Sequence, residues 1–528
     1  MQFKHIGFQW SGSGQSVVLG FMTRAVTMIT TNRRRPTIPE TFAGAHVFIT
    51  GATGFMGKIL VEKLLRACPD VGQLFVLIRP LHGQSCQDRI DEMFKIPLFD
   101  MLRQTRPEVF KKVIPVSGDC SQLKMGLDDH VFETLSKVQF IFHVAASVRF
   151  DDPLRKAILL NVRGTREVLE WATSLKNLKA VIHVSTCYSN PELLEIEERL
   201  YPCKMPWQKA IELAEKIEPE NFESFCPMLT GYAPNTYTFT KGLAEHLCND
   251  YRHRLPLAII RPSIVLNIEK DPLPGWIDNL NGPVGLISGV GAGIMRTGYL
   301  NLDVRMNLIP ADVCIKAFII AAWKQATSSS DLSNDCQEIK VYNCAGETHK
   351  APTYRDIFKY CLHWEAQRPF VGKMWYTNYT HSWCIYMYYV LFFLLQLVPA
   401  IFFDTLLRLS GRKPLLVKLQ RKVFHSMIML QYFTFNNWNF HTENFRSMDK
   451  DLHESDEPLF NIKYIQNGLY EYTDLACLGG RRYIFKDPDE SIPKGLEKNR
   501  KLYILHIVWQ TTLIVSFMYL IYKRYAGA

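Results

Sequence analysis

The sequence predicts an α/β fold: a doubly wound parallel sheet followed by a mainly helical, membrane-associated carboxyl-terminal part. Three observations carry that expectation. Short apolar runs alternate with amphipathic stretches between about residues 42 and 343, as strands and crossover helices do in a parallel sheet. The first such run leads straight into the glycine-rich turn Thr50-Gly51-Ala52-Thr53-Gly54-Phe55-Met56-Gly57. Long uncharged runs begin after about residue 370.

In chain order, residues 1–39 contain no acidic side chain and carry Lys4, Arg24, Arg33, Arg34 and Arg35. They read as a basic, unstructured extension; a transit-type presequence would have a similar composition. Expected strands are Val47-Phe48-Ile49, Leu74–Ile78, Val113–Val116, Gln139–Val144, Ala180–Val184, Leu257–Ile260 and Ile339–Asn343, with a helix over Asn161–Ser174 and a surface loop over Thr327–Asn334. These elements define a nucleotide-binding domain of Rossmann type over residues 40–368, followed by a second domain over 369–475. The uncharged run Cys384–Phe403 is long enough to span a bilayer. Pro399 and Asp404 fit a monotopic or re-entrant segment, or a buried acyl-chain-binding helix, at least as well as a span. Residues 476–501 read as a linker. Leu502–Tyr522 reads as a transmembrane helix, with Lys498, Arg500 and Lys501 before it, Lys523 and Arg524 after it, and tyrosines near both ends.

Composition narrows the function. The 528 residues, 47% hydrophobic and 21% charged, allow two or more folded units with full cores. The net charge of +10 is spread along the chain, and no nucleic-acid motif accompanies it. Thirteen cysteines without paired spacing argue for reduced thiols facing the cytosol and for no metal site.

Strand, glycine turn and helix together suit a dinucleotide pyrophosphate. Glycines let the backbone approach the phosphates, and the helix N-terminus supplies free N–H groups. The cofactor contacts expected are Thr50, Gly51, Thr53, Gly54, Phe55, Met56 and Gly57. Arg79, after the second strand, suits a 2′-phosphate and hence NADPH. Asp119 follows the third strand and could meet the adenine edge. Ala145 and Ala146 follow the fourth, where small side chains let a cofactor lie flat, and His143 within that strand reads as a core residue. Tyr237 and Lys241 stand four apart on one helix face. Tyr237 is expected to protonate the oxyanion left by hydride transfer, with Lys241 lowering its pKa and bonding the nicotinamide ribose. A hydroxyl donor is expected at the end of the adjacent strand, as Thr186 with Ser185 in reserve. Cys187 lacks a neighbouring base and reads as packing. The residues themselves thus point to a nicotinamide-dependent carbonyl reductase.

On these motifs the chain resembles the extended short-chain dehydrogenase/reductases and, within them, the fatty acyl-CoA reductases. The resemblance also rests on Pro274-Gly275-Trp276-Ile277-Asp278-Asn279 with Gly282-Pro283, on Pro310-Ala311-Asp312-Val313, and on Val398-Pro399-Ala400, Asp404 and Gly411-Arg412-Lys413-Pro414. It covers about residues 40–475. Gln396 stands where that family is expected to have histidine, and the first forty residues have no counterpart.

The resemblance implies an NADPH-dependent, two-step reduction of long-chain fatty acyl-CoA to fatty alcohol, through a hemithioacetal that releases CoA and an aldehyde. It also implies a bilayer partner, with the endoplasmic reticulum as the first expected compartment and peroxisome or lipid droplet as others. Other readings are a membrane-bound sterol reductase of the same superfamily and a non-catalytic cofactor-binding scaffold. Oligomeric state, acyl chain length and saturation are not encoded legibly.

Overall fold

The computed structural model describes residues 35–80, 83–202, 204–328, 338–463 and 469–526. Most of the basic extension expected over residues 1–39, and most of the expected loop Thr327–Asn334, lie outside the described residues. The chain divides into two compact units, Met1–Thr37 and Ile38–Ala528. Of the first, residues 35–37 are described and are in no regular element.

The second unit is built on seven strands: β1 (His46–Thr50), β2 (Leu74–Ile78), β3 (Val113–Ser117), β4 (Val138–His143), β5 (Ala180–Val184), β6 (Leu257–Pro262) and β7 (Lys340–Cys344). All pair in parallel, in the order β7-β6-β5-β4-β1-β2-β3. The chain runs outward through β2 and β3, then returns to β4 on the other side of β1. That reversal opens a crevice at the carboxyl ends of β1 and β4, where open α/β sheets bind ligands.

Strand alternation divides the core into two layers. Val47, Ile49, Phe140, Phe142 and Ile182 face a core that includes α1 (Phe55–Ala67) and α3 (Ala311–Thr327). Phe48, Ile141, Val181 and Ile259 face the other core, which includes α2 (Thr236–Asp250). Fully burying each of these aromatic and aliphatic side chains stabilises the fold by roughly 1.5–3 kcal/mol. The helices of the first layer are also joined electrostatically. The Asp271 carboxylate accepts from Lys63 at 2.8 Å and Arg66 at 2.6 Å on α1, and pairs with Lys316 at 2.8 Å on α3. Burial alone would raise the Asp271 pKa, but Lys63 and Lys316 outweigh it and hold the carboxyl below its usual range.

The carboxyl-terminal part is mainly helical, as expected. It includes the helix Ile385–Leu409, α4 (Leu416–Phe435) and α5 (Ile492–Ala526). A short parallel pairing of Asn439-Phe440 with Glu195-Ile196 ties it to the sheet-bearing half. Ile38–Ala528 is a single compact unit, so the boundary expected near residue 368 is not a break between separate bodies.

The linker expected over 476–501 is corrected by the structure. The helix Leu469–Gly479 passes into a π turn, Gly480–Ile484, and α5 starts at Ile492. Gly479 packs so closely that an added Cβ would lie 1.8 Å from the Gly275 carbonyl oxygen, and one at Gly495 would lie 2.1 Å from that of Pro369. These glycines allow close backbone contact. The expected transmembrane segment Leu502–Tyr522 lies inside α5, and most of its apolar side chains are exposed.

Candidate active site

The turn after β1 is shaped by steric necessity. Gly51 has φ +73°, and a Cβ there would lie 2.7 Å from the Ala145 nitrogen. A Cβ on Gly57 would lie 2.1 Å from the Gly51 carbonyl oxygen. Only glycine at these two positions lets the turn pack this closely on Ala145 and on itself, with the N-terminus of α1 beside the cavity. This cradle opens into a cavity of about 690 Å³ at the sheet's reversal point.

Gly51, Thr53, Gly54, Phe55, Met56, Gly57, Arg79, Asp119, Ala145, Thr186, Tyr237 and Lys241 all line that cavity. Thr50 does not. Its hydroxyl is fully buried, meets His143 Nδ1 at 2.8 Å and accepts from the Ala145 N–H at 3.1 Å. The expectation of a direct cofactor contact is thus corrected: Thr50 fastens the end of β1 to β4. Its side chain takes the inward face shared with Phe48, two residues earlier. His143 is a core residue as expected. Its other ring nitrogen meets Thr165 at 3.0 Å, and burial, reinforced by the charge on Lys241, pushes its pKa down to about 3.

Tyr237 and Lys241 sit in the first turns of α2, whose start is capped by the Asn235 side chain accepting from the Thr238 N–H at 2.9 Å. Lys241 Nζ donates to the Val184 carbonyl at 2.6 Å, fixing the helix against the end of β5. Thr186 and Tyr237 both face the cavity, and the Tyr237 ring stacks on Phe150 at 6.0 Å between centroids. The expected depression of the Tyr237 pKa by Lys241 is absent. Burial pushes the phenol up to about 12, with only the Thr186 hydrogen bond pulling it down appreciably. Burial lowers Lys241 to about 8. The phenol is therefore fully protonated at neutral pH, the state a proton donor needs.

The choice between the two candidate hydroxyls follows from their partners. Ser185 donates to Glu245 Oε1 at 2.5 Å, and that carboxylate is clamped by Arg261 at 2.6 and 2.8 Å. Thr186 has only a long 3.4 Å bond to the Pro262 carbonyl besides Tyr237 and the Tyr188 N–H. Cys187 is buried with its thiol on the Arg261 carbonyl at 2.9 Å, and burial raises its pKa far above the ordinary range. It is a packing residue.

Several residues at the site had no local signal. Arg89 lines the cavity beside Arg79, donating to the Arg79 carbonyl at 2.5 Å and reaching Thr53 Oγ1 at 3.4 Å. Asn161, inside the π turn Ile158–Arg163, accepts from the Ser147 N–H at 2.8 Å and donates to Thr240 Oγ1 at 2.9 Å. It thereby positions the loop after β4 against α2. Π turns often mark functional positions, but sequence periodicity over 161–174 gives only a helix. The loop Pro274–Asn279 folds over the glycine turn. Trp276 stacks on Phe55 at 5.5 Å, and Asp278 pairs with Lys58. The opposite wall is apolar and comes from far along the chain, with Leu286, Met427, Leu430, Phe433 and Trp438 facing the cavity.

Comparison with known proteins agrees with this geometry. A nucleotide-binding family model described as male sterility protein matches residues 49–318, and a second model of the same description matches residues 395–487. Fatty acyl-CoA reductase wat of Drosophila melanogaster is 34% identical over 484 residues, spanning 91% of each chain. Fatty acyl-CoA reductase 1 of Homo sapiens is 35% identical over 490 residues, spanning 90% of this chain and 92% of its own. Among solved structures, the terminal R domain of the myxalamid PKS-NRPS pathway superposes with a TM-score of 0.54 at 18% identity, over 84% of this chain and 92% of that one. The reductase domain of a Mycobacterium tuberculosis nonribosomal peptide synthetase also gives 0.54 at 18%, over 86% and 96%. These structures share the fold.

Proposed function

We propose, from the premise that this chain belongs to the fatty acyl-CoA reductase family, that it converts fatty acyl-CoA to fatty alcohol in two NADPH-dependent reductions at one site. The chain is an oxidoreductase with a nicotinamide-binding domain, and its substrate is a fatty acyl group. NADPH as donor, release of CoA and passage through an aldehyde are the proposed refinements.

The observation carrying the proposal is that Thr186, Tyr237 and Lys241 line one cavity, with the glycine cradle on one side and an apolar wall on the other. Bound NADPH would supply hydride to the thioester carbonyl and later to the aldehyde. Thr186 holds the carbonyl oxygen by hydrogen bond. Tyr237 delivers its phenolic proton as that oxygen gains charge, and the Lys241 ammonium stabilises the phenolate that remains. Gly51, Gly54 and Gly57 make room for the pyrophosphate. Arg79 and Arg89 offer two guanidinium groups for a 2′-phosphate, a pairing suited to bidentate recognition. Leu286, Met427, Leu430 and Phe433 give the acyl chain an apolar surface. We further propose that α5 crosses a bilayer, because its exposed run is long and apolar enough and has basic residues at both ends.

Lipid analysis of yeast expressing the full chain tests this reading. New long-chain alcohols with wild type, and none with Tyr237→Phe expressed at the same level, are expected. Undiminished alcohol from the variant would remove Tyr237 from the proton-donor role. A sterol product instead would overturn the substrate assignment.

A further inference from the structure

We infer that the helix Ile385–Leu409 does not cross the bilayer but lies along one leaflet, with the following basic turn seated on anionic lipid headgroups. Its buried residues, Tyr388, Phe392, Gln396, Ala400 and Asp404, recur at every fourth position. In an α-helix of 3.6 residues per turn such a series drifts around the axis. The wider π turn at Phe393–Leu397 counters that drift and keeps all five on one stripe.

That stripe is bonded to the folded body along its length. The Gln396 side-chain oxygen accepts from the Arg296 N–H at 3.1 Å, and the Leu395 carbonyl accepts from the Arg296 guanidinium at 3.0 Å. The Asp404 carboxylate accepts from the N–H groups of Leu415, Leu416 and Val417, each at 2.9 Å, capping α4. A spanning helix would have to abandon these bonds or drag a guanidinium and a carboxylate into hydrocarbon.

Only the opposite face is open, and it is apolar. Tyr386 is 76% exposed, Phe393 52% and Phe402 48%. One apolar and one bonded face describe a helix lying in the membrane plane.

Charge identifies what covers that face. Between residues 384 and 435 the only acidic side chain is the buried Asp404. Arg412, Lys413, Lys418, Arg421 and Lys422 are all exposed, and among the described residues none pairs with a carboxylate. A basic cluster beside an apolar helix is complementary to an anionic leaflet. The helix also meets α5, with the Phe402 ring 6.1 Å from that of Trp509. The inference rests on the proposed crossing of α5 only for which membrane is met.

The test uses the full chain in nanodiscs of phosphatidylcholine, with and without phosphatidylserine, probed by hydroxyl-radical footprinting read by mass spectrometry. Tyr386, Met387, Phe393 and Phe402 should be protected at least about fivefold more when phosphatidylserine is present, and Arg412→Glu with Lys413→Glu should remove the difference. Equal footprints in both membranes would overturn the inference. So would protection that grows with protein concentration in detergent, which would mean a second copy covers the face. In sealed vesicles, Trp383→Cys and Ser410→Cys should both react with a membrane-impermeant maleimide from the side of the catalytic domain. Reaction of only one would mean the helix spans. Alcohol formation in detergent should be unchanged in all these variants. Its absence in wild type would strike the proposed reaction without bearing on the footprint.

Discussion

The sheet-bearing half and the carboxyl-terminal helices solve opposite problems with their polar and apolar groups. Around the cavity, buried polar side chains satisfy one another. Thr50, His143 and Thr165 form one chain, and Ser185, Glu245 and Arg261 form another. In the carboxyl-terminal half, large apolar side chains such as Tyr386, Phe393, Ile514 and Phe517 stay exposed. These two chains are completed within the protein. The second region leaves its apolar side chains without a partner in the protein, the surface proposed above to meet lipid. Substitutions should therefore be costly in the first region and nearly silent for folding in the second.

The largest effect expected is at Gly57. Gly57→Ala places a methyl group 2.1 Å from the Gly51 carbonyl oxygen, so nucleotide affinity measured by calorimetry should fall by about a hundredfold or more as the turn is forced open. Next comes Glu245→Ala, which leaves the buried Arg261 charge without its partner and should lower stability in denaturant unfolding by about 3–5 kcal/mol. Retained stability would mean that water enters this part of the core.

An intermediate effect is expected at Arg89. Arg89→Ala should raise the KM for NADPH about tenfold while leaving that for NADH nearly unchanged, since only NADPH carries a 2′-phosphate. Lys241 should separate activity from stability. Burial holds its folded pKa at about 8, below its ordinary 10.5. The cost of burying the ammonium is thus borne in full below pH 8 and relieved as pH rises from 8 to 10.5. Activity that needs the ammonium should fall through that window while this group's contribution to stability rises. A pH profile read beside unfolding midpoints checks both signs. The smallest effect belongs to the exposed apolar surface of the carboxyl-terminal half, where Leu394→Ser should change stability in detergent by no more than about 0.5 kcal/mol.

The same contrast explains what the sequence made legible. Seven buried parallel strands announce themselves as apolar runs, and the glycine turn and Tyr237–Lys241 spacing are local signals with local causes. All expected strands formed, with ends shifted by a residue or two. Thr50 was misplaced because its motif position suggested a ligand contact, whereas strand alternation turns its hydroxyl inward to His143. Arg89 went unnoticed because nothing local shows that its helix returns its guanidinium to Thr53. The apolar wall from Met427 to Trp438 depends on packing of α4 across the cavity mouth, a tertiary fact. Residues 476–501 read as a linker, yet Gly479 packs against Gly275 and Arg481 is buried on the Pro369 carbonyl at 2.6 Å. The raised Tyr237 pKa has the same origin, since it follows from burial, whereas the Lys241 charge that spacing had made prominent has no resolved effect on it.

The most direct test is the stoichiometry of the full chain in lipid nanodiscs, supplied with NADPH and a chain-length panel of acyl-CoAs, following NADPH, free CoA and alcohol together. The account predicts two NADPH consumed and one CoA released for each alcohol formed, with the rate reduced about 10²–10⁴-fold by Tyr237→Phe. Alcohol formed at the wild-type rate by the variant, or one NADPH consumed per CoA with aldehyde as the sole product, would contradict it.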